Sequence, residues 1–253
     1  MKISIITVCY NSAKTIEATI ESVAAQSYKN VEHIIVDGGS IDGTLEVIRG
    51  WNKHAIRLIS EPDFGIYDAM NKGIRLATGD IVGILNSNDV YYDGNVLEDV
   101  FKVMSDTSID ACYADLIYVA EDNINDIIRY WESCVFKKGL FKTGWAPPHP
   151  TFFVRRQLYE KYGLFDLNYP LAADFELMAR LLAKHEVSSV YIPKIFIKMR
   201  LGGVTNKSVV NVIRQNIEIY KACRKNGVRL FLPFFILAKS ISRVRQYYTR
   251  PKR

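Results

Sequence analysis

Alternating strand-like and helix-like segments occupy the first third of the chain and limit the folds that it can adopt. Apolar runs typical of buried strands lie at 3–9, 31–38, 55–60 and 80–86. Helix-like segments separate these runs at 14–26, 44–51 and 65–77. The first carries Ile16, Ile20 and Val23 at helical spacing, with Asn11 or Ser12 as its expected N-cap. This alternation predicts an α/β fold whose mostly parallel sheet is covered by helices on both faces.

Polar residues follow each of the four predicted strands, where a sheet of this kind binds its ligands. The strand ends read TVCYN, VDGGSIDGT, SEPDFG and LNSND. Three of these segments contain an acid, which is unusual for polar loops of no further role. A binding site is therefore expected at this edge of the sheet.

The pattern changes after residue 106, where a mixed or antiparallel extension is expected. Strands are predicted at 109–119 and 127–131, a proline-stiffened loop that enters a strand at 144–156, and an extended segment at 187–201. Helices are predicted at 171–185, 207–226 and 230–249, the last broken near its start by Pro233. The apolar face of the helix at 171–185 consists of Leu171, Phe175, Met178, Leu181 and Leu182.

Motifs that define several other classes of site are absent from the sequence. Neither G-x-G-x-x-G nor G-x-x-x-x-G-K-[ST] occurs, which argues against a dinucleotide fingerprint and a P-loop. The four histidines form no H-E-x-x-H and the four cysteines no C-x-x-C, so we expect no zinc, no disulfides and a reducing compartment. No signal peptide is expected, and the longest apolar run, 230–238, is shorter than the about 20 residues that span a bilayer.

Five segments carry a more specific signal, and they follow one another within residues 3–182. They read SIITVCYNSAKTIEATIESVAAQSY, HIIVDGGSIDGT, DFGIYDAMNKGIRLATGD, LNSNDVYY and AADFELMARLL. In this order they resemble the family 2 glycosyltransferases. The resemblance implies a GT-A fold, with a Rossmann-like, mostly parallel sheet, a smaller mixed extension on the acceptor side and C-terminal helices. It also implies a nucleotide-sugar-binding half at 1–106, an acceptor-binding and catalytic half at 107–206, and basic amphipathic helices at 207–253.

The resemblance implies a nucleotide-sugar donor, usually linked to UDP. The donor site expected from it consists of Thr7, Cys9, Tyr10, Asp37, Asp63, Asn71, Lys72, Asn88 and Asp89. Of these, Asp37 ends the second strand, where an acid can hydrogen-bond a base or a ribose or can instead cap the following turn. Asp68 either faces the sugar or lies on the surface of its helix.

The segment LNSND occupies the place of the family's aspartate-rich metal motif, often D-x-D-D. Asp89 matches the acid that binds the divalent ion, whereas Asn86 and Asn88 stand where the family often has Asp. An Asn carbonyl supplies an oxygen ligand without charge, and Mn²⁺ and Mg²⁺ tolerate one carboxylate together with phosphates and water. A weakened Mn²⁺ or Mg²⁺ site is therefore expected, with Asp89 as its ligand and Asn88 as a second candidate.

The resemblance assigns the general base to an acid at the start of a helix behind the site. That acid is Asp174 in LAADFELMARLL, for which an N-cap role is the structural alternative. Glu176 is a weaker candidate on another helix face. His149, in PPHPTFF, is expected to contact the acceptor or a phosphate, or to be a structural histidine. Arg200, which opens the segment RLGGVTN at 200–206, is placed near the diphosphate.

Charge is distributed unevenly along the chain. Residues 219–253 contain ten Lys/Arg and no Asp or Glu, so the net charge of +6 leaves residues 1–218 at −4. Along 230–253, Phe234, Leu237, Ile241 and Val244 form an apolar stripe beside basic residues. This pattern favours an anionic membrane surface as the partner, while the acidic body argues against nucleic acid. Packing of the helix on its own domain is the alternative.

The expected function is inverting transfer of a hexose or N-acetylhexosamine from a UDP-sugar to a lipid-diphosphate-linked saccharide. By resemblance, the pathway is O-antigen, capsule or exopolysaccharide assembly at the cytoplasmic face of a bacterial membrane. Two alternatives remain. A sugar-phosphate nucleotidyltransferase would need a G-x-x-x-R loop that CYNSAKT does not supply, and a non-catalytic carbohydrate- or membrane-binding relative is suggested by Asn86 and Asn88.

Overall fold

The computed structural model describes residues 1–201 and 209–249. In the first third of the chain, parallel strands alternate with helices, which confirms the predicted alternation. The strands are β1 (Ile3–Cys9), β2 (Val31–Asp37), β3 (Ile56–Ser60) and β4 (Ile81–Ile84). The helices are α1 (Ile16–Ala24), α2 (Thr44–Gly50) and α3 (Ile66–Leu76).

The rest of the described chain extends the sheet and adds helices. Its strands are β5 (Asp89–Tyr91), β6 (Ala111–Val119), β7 (Ile127–Trp131), β8 (Phe153–Arg155) and β9 (Ser189–Arg200). Its helices are α4 (Val96–Met104), α5 (Arg156–Tyr162), α6 (Ala173–Met178), α7 (Val209–Lys225) and α8 (Leu232–Tyr248). A π-helix (Ala179–Lys184) continues α6, and two 3-10 turns cover Leu140–Thr143 and His149–Thr151.

The strands of the described chain form one sheet in the order β3-β2-β1-β4-β8-β6-β9-β5, with β7 paired to β6. Strands β1 to β4 are parallel to one another, so their carboxyl ends meet at one edge. The register aligns Cys9 with Asp37 and Asp37 with Ser60 at that edge. Antiparallel β8 joins β4 to β6, which is the expected mixed extension.

The core lies on both faces of the sheet, because the central strand β1 is buried along its whole length. Ile6 belongs to a cluster on one face, together with residues of α3 and α6, and Ile5 to a cluster on the other face with residues of α4. Gly73 of α3 lies directly against Ile6, where a Cβ atom would overlap the isoleucine side chain. The glycine therefore lets α3 pack closely on the sheet and fixes the position of its first turn at the binding edge.

Several local predictions were wrong. Neither Asn11 nor Ser12 caps α1, whose N-cap is Thr15, although the Ser12 carbonyl accepts the N–H groups of Thr15 and Ile16. Leu171 precedes α6, so it does not belong to that helix's apolar face. Pro233 does not break the last helix, because it lies in the first turn of α8, where no backbone N–H donor is needed.

The C-terminal helices pack on the rest of the molecule with part of their surface only. Phe235 of α8 is fully buried, yet Phe234, Leu237, Ile241 and Val244 are all more than half exposed. None of the described helices is both long and apolar enough to cross a bilayer. The loop at 202–206, and the predicted extensions of the two terminal helices to 207–208 and 250–253, lie outside the described residues.

Candidate active site

Hydrogen bonds join the loops that follow β1, β2 and β4 at the carboxyl edge of the sheet. Ser12 and Ser87 share a hydrogen bond between their hydroxyls at 2.8 Å, which links the loop after β1 to the LNSND segment. Asn11 donates its backbone N–H to Ser40 Oγ at 2.8 Å and accepts the Ile41 N–H at its Oδ1 at 3.0 Å. These contacts form the expected site edge from loops that are distant in sequence.

Asp37 is buried at this edge and organises the loop that follows β2. Its Oδ2 accepts the N–H groups of Gly39 and Ser40 at 3.0 Å each and the Ser60 hydroxyl at 2.7 Å, and its Oδ1 accepts the Ser40 hydroxyl. Burial acts to raise the pKa of Asp37, but these hydrogen bonds outweigh it and lower the pKa. The carboxylate therefore stays charged and shapes the loop after β2, and its contacts in this structure are those of the turn-capping alternative.

Thr7 and Cys9 lie inside the sheet beneath this edge rather than at its surface. Thr7 Oγ1 is 2.9 Å from His33 Nε2, and Cys9 donates its thiol to Asp37 Oδ1 at 3.6 Å. Both side chains are buried, and burial next to Asp37 raises the pKa of Cys9. Of the three residues that were expected at the donor site from this part of the chain, Thr7, Cys9 and Tyr10, only Tyr10 is exposed.

Tyr10, Gly38 and Asp63 lie together beside Asp37 at the end of β2. A Cβ atom at Gly38 would overlap the Asp63 carboxylate and would lie 3.5 Å from the Tyr10 ring. Glycine at position 38 therefore lets the acid approach the backbone at the strand end. An exposed aromatic ring beside a carboxylate suits a ring that carries hydrogen-bond donors, such as a nucleobase or a ribose.

The three predicted residues on α3 bind the protein itself. Asn71 is buried, donating to the Phe165 carbonyl and accepting the Phe165 N–H at 2.9 Å each. Lys72 pairs with Glu61 at 2.9 Å and donates to the Pro62 carbonyl. Asp68 accepts the Phe64 N–H at 3.1 Å and lies 3.6 Å from Lys72. These side chains hold the loop between β3 and α3 in place, and Asn71 has no free polar group for a ligand.

The LNSND segment contains two buried side-chain oxygens that have no hydrogen-bond partner among the described residues. Asp89 is fully buried, and its Oδ2 accepts the Asn86 amide at 3.0 Å, whereas Asp89 Oδ1 and Asn86 Oδ1 are buried without a partner. Burial raises the pKa of Asp89 to about 7, although the Asn86 amide and the Arg200 charge lower it in part. A divalent metal ion fits this arrangement, because it would give a partner to the buried carboxylate of Asp89 and to the side-chain oxygen of Asn86.

Arg200 ends β9 next to the same segment. Its Nη1 donates to the Asn88 carbonyl at 3.0 Å, while β9 pairs with β5 so that Met199 lies opposite Asp89. The side chain is half-buried. No group of three or more His, Cys, Asp or Glu side chains in the described part of the chain could hold a metal by itself.

Asp174 lies in the first turn of α6, where it faces the first turn of α3. Its Oδ1 accepts the Tyr67 hydroxyl at 2.9 Å and the Phe175 N–H at 2.8 Å. Ala172 is the N-cap of α6, so Asp174 does not occupy the N-cap position. The carboxylate is half-buried and lies at the positive end of the helix dipole.

His149 and Glu176 differ in their relation to this carboxylate. His149 is buried, with its ring edge-to-face on Phe165 at 5.5 Å. Burial lowers the pKa of His149, and the nearby Asp174 charge opposes that effect. Glu176 is fully buried in an ion pair with Arg180 at 2.8 Å and accepts the Asn226 amide. It is therefore a structural residue and a poor general base.

Sequence reasoning missed Tyr67, Ser12 and Ser87 as parts of this site. All three lie inside the quoted segments, so a reading of those motifs residue by residue could have named them. In DFGIYDAMN, the notable residue was the acid Asp68, whereas the residue that reaches Asp174 is its neighbour Tyr67.

Comparisons with known proteins identify the family and the fold. A family model described as glycosyl transferase family 2 matches residues 4–163. An uncharacterized glycosyltransferase of Mycobacterium tuberculosis is 32% identical over 180 residues, which is 70% of this chain and 68% of that protein. A PGL/p-HBAD biosynthesis glycosyltransferase of Mycobacterium bovis is 29% identical over 211 residues, which is 81% of this chain and 80% of that protein.

Solved structures share the fold at lower identity. The mannosyltransferase PcManGT from Pyrobaculum calidifontis, in complex with GDP-Man and Mn²⁺, gives a TM-score of 0.66 at 20% identity, covering 95% of this chain and 69% of that one. TarS from S. aureus in complex with UDP gives a TM-score of 0.64 at 17% identity, covering 96% and 70%. From its sequence match and its GT-A architecture, this chain belongs to glycosyl transferase family 2.

Proposed function

We propose that this protein transfers a hexose or N-acetylhexosamine from a UDP-sugar to a lipid-diphosphate-linked saccharide, with inversion at the anomeric carbon. The observation that carries the proposal is the position of Asp174. Its carboxylate is fixed by Tyr67, whose helix begins at the carboxyl edge of the sheet. A base held at the edge where the donor loops meet suits activation of an acceptor hydroxyl.

The donor is a nucleotide-sugar, most simply a UDP-sugar. The proximity of the exposed Tyr10 ring and the Asp63 carboxylate to Gly38 supports binding of the nucleoside at this strand end. Structural neighbours support the same class of ligand, because TarS has been solved with UDP-GlcNAc and PcManGT with GDP-Man. GDP-mannose is therefore the donor to test beside the UDP-sugars.

A divalent ion, Mn²⁺ or Mg²⁺, fits the residues of the LNSND segment. In this segment, Asp89 Oδ1 and Asn86 Oδ1 are buried and have no hydrogen-bond partner among the described residues. Asn88 is a third residue that could contribute an oxygen ligand. When bound, the ion would neutralise charge on the leaving diphosphate. Arg200, which donates to the Asn88 carbonyl, would also stabilise the negative charge of the diphosphate.

The chemical step needs one base and a direct displacement. Asp174 would accept the proton of the acceptor hydroxyl while the oxygen attacks the anomeric carbon. The bond between that carbon and the diphosphate breaks on the opposite face, so the configuration inverts. The Tyr67 hydroxyl bonds Oδ1 of Asp174 and so orients the carboxylate towards the acceptor.

The acceptor is proposed to be lipid-linked because of the surface of α8. Its apolar residues Leu237 and Ile241 are 60% and 59% exposed and belong to the stripe that the sequence predicts. A basic helix with an exposed apolar stripe suits peripheral binding to an anionic membrane. We place the enzyme at the cytoplasmic face of the membrane, in surface-polysaccharide assembly.

A donor screen tests the function directly. Purified protein with Mn²⁺ would receive a panel of UDP-sugars and GDP-mannose together with a synthetic polyprenyl-diphosphate saccharide, and mass spectrometry would detect the extended product. Transfer from one donor, lost in Asp174→Asn, supports the proposal. Release of pyrophosphate from a nucleoside triphosphate and a sugar phosphate would favour the nucleotidyltransferase alternative, and binding without turnover the non-catalytic one.

A further inference from the structure

Helix α8 presents a second row of residues to the interior, on the side opposite its exposed stripe. Phe235, Lys239 and Arg243 follow one another at intervals of four residues and so lie on one face. Phe235 is fully buried, and Lys239 and Arg243 are half-buried. Phe235 and Lys239 pack against Gly144, where an added Cβ atom would lie 2.9 Å from the Phe235 ring and 3.3 Å from Lys239 Cβ.

Lys239 is withdrawn from water without a counter-ion. Its Nζ donates to Asn216 Oδ1 of α7 at 2.7 Å, which uses one of its three N–H donors. In the described part of the chain, no carboxylate lies within ion-pair distance of Lys239. A half-buried cation without a counter-ion is costly, so an anion would complete the site.

Helix α7 links Lys239 to the start of α6. Asn216, which accepts the Lys239 ammonium group, lies two residues before Glu218, whose carboxylate accepts the Leu171 N–H at 2.8 Å. Burial and the Arg243 charge lower the pKa of Lys239 to about 8, while Asp174 of α6 and Cys223 of α7 act in the opposite direction. An anion beside Lys239 would be near the acceptor hydroxyl that Asp174 activates.

Two arginines extend this positive region. Arg129 of β7 stacks on the Tyr118 ring at 3.7 Å, and its Nε is buried without a hydrogen-bond partner among the described residues. Arg129 and Arg243 lower the pKa of Tyr118, whereas burial and the Asp89 charge raise it. Arg129 also lies 5.7 Å from the ring of Tyr247, a residue of α8, so it is beside the helix that carries Lys239 and Arg243.

We propose that Lys239, Arg243 and Arg129 form a diphosphate-binding site, which α8 adds beside the proposed base. The role of this site in sugar transfer rests on the proposed function, whereas the binding of a diphosphate there does not. A diphosphate carries several oxygen acceptors and would satisfy the ammonium group and both guanidinium groups. Because the opposite face of α8 is the exposed apolar stripe, the site would bind the diphosphate of an acceptor held in the membrane. The nucleotide-sugar donor also carries a diphosphate and is the other source to test.

Calorimetry with inorganic pyrophosphate, on the full chain and in EDTA, tests the site. Lys239→Met should weaken pyrophosphate binding by about tenfold or more, because one charge-assisted contact is lost. Lys221→Met removes an exposed lysine of α7 and should leave the affinity within about twofold, as expected for a solvated charge. Equal pyrophosphate affinity in wild type and Lys239→Met, or no binding to the wild type, would overturn the proposal.

Lys239→Arg gives a second readout that does not depend on losing a side chain. Wild-type affinity for pyrophosphate should fall between pH 7 and pH 9 as Lys239 loses its proton, relative to an arginine variant that stays charged. Parallel pH profiles for the two proteins would contradict the proposal, even if Lys239→Met does not fold.

Saturating UDP then distinguishes the two sources. Pyrophosphate that still binds with UDP present supports the acceptor's diphosphate, and displacement by UDP supports the donor's. Pyrophosphate binding needs no sugar transfer, so an intact site without turnover would count against the proposed function alone. Turnover without Lys239-dependent binding would count against this site alone.

Discussion

Tyr67 donates its hydroxyl to Asp174 Oδ1 at 2.9 Å, although 107 residues separate the two in sequence. The bond joins the first turn of α3 to the first turn of α6, which carries the proposed base. It fixes one oxygen of the carboxylate. Burial and the Asp174 charge raise the pKa of Tyr67, so the phenol keeps its proton and remains a donor.

The donor loop should depend on Asp37. Replacing Asp37 by Ala removes the acceptor for Gly39, Ser40 and Ser60, so the loop loses its shape and UDP affinity should fall by roughly tenfold or more. Calorimetry of UDP binding measures the change. Asp106→Ala, at the opposite edge of the sheet, is the control. Equal affinity in wild type and Asp37→Ala would remove Asp37 from the donor site.

Activity should require Mn²⁺ or Mg²⁺ at relatively high concentration, because Asp89 is the only carboxylate of the LNSND segment. Asn88→Asp should lower the metal concentration that gives half-maximal activity, and Asp89→Asn should raise it. A titration of metal against turnover for the three proteins measures both shifts. Full wild-type activity in EDTA would contradict the metal assignment.

Acid should destabilise the fold through His33. Trp51 donates to His54 Nδ1 at 2.8 Å, and His54 Nε2 lies 3.1 Å from His33 Nδ1. Since the indole is only a donor, this chain of contacts gives His33 a proton on Nε2, directed at Thr7. Burial is the main cause that lowers the pKa of His33 from 6.5 to about 3, with a smaller contribution from His54.

Between these two pH values the unfolded state binds a proton at position 33 that the folded state does not. The free energy of unfolding should therefore fall as the pH falls, by about 1.4 kcal/mol per pH unit from this residue. Urea unfolding between pH 6.5 and 5 measures the slope, which should be smaller in His33→Gln. An equal slope in both proteins would show that His33 is protonated in the fold.

The exposed stripe of α8 should hold the protein on anionic membranes. Deleting residues 230–253 would also remove buried Phe235, so we prefer Leu237→Glu/Ile241→Glu, which changes two exposed residues. This variant should release the protein from phosphatidylglycerol liposomes, whereas Ser240→Glu on the same helix should not. Wild-type binding should weaken with salt, because each basic residue near the surface contributes about 1 kcal/mol. Co-sedimentation unaffected by Leu237→Glu/Ile241→Glu would mean that the stripe does not meet the membrane.

The sheet and its binding edge could be predicted because strand and helix periods are local properties of the sequence. Helix α4 was also predictable, since Val96, Leu97, Val100 and Met104 have helical spacing, but it was overlooked. Strand β5 was not predictable in this way, because three residues are too few for a period and its partner β9 lies over a hundred residues further along the chain.

Motifs identified the residue types of the site but not the direction of each side chain. Asn71 matches the donor pattern, yet both ends of its amide bind the Phe165 backbone, which lies 94 residues further along the chain. Lys239 carries no motif at all. Its place near Asp174 depends on how α8 packs, which follows from tertiary contacts and not from local sequence.

The most direct test of the account compares wild type, Tyr67→Phe and Asp174→Asn in one assay, with proton NMR of the anomeric signal. Asp174→Asn keeps the size but not the basicity of the side chain, so turnover should fall roughly 10²–10⁴-fold while UDP affinity is unchanged. The turnover of Tyr67→Phe should lie between those of wild type and Asp174→Asn. Wild type should convert an α-linked donor into a β-linked product. An α-linked product, or an Asp174→Asn variant as active as wild type, would contradict a single displacement with Asp174 as the base.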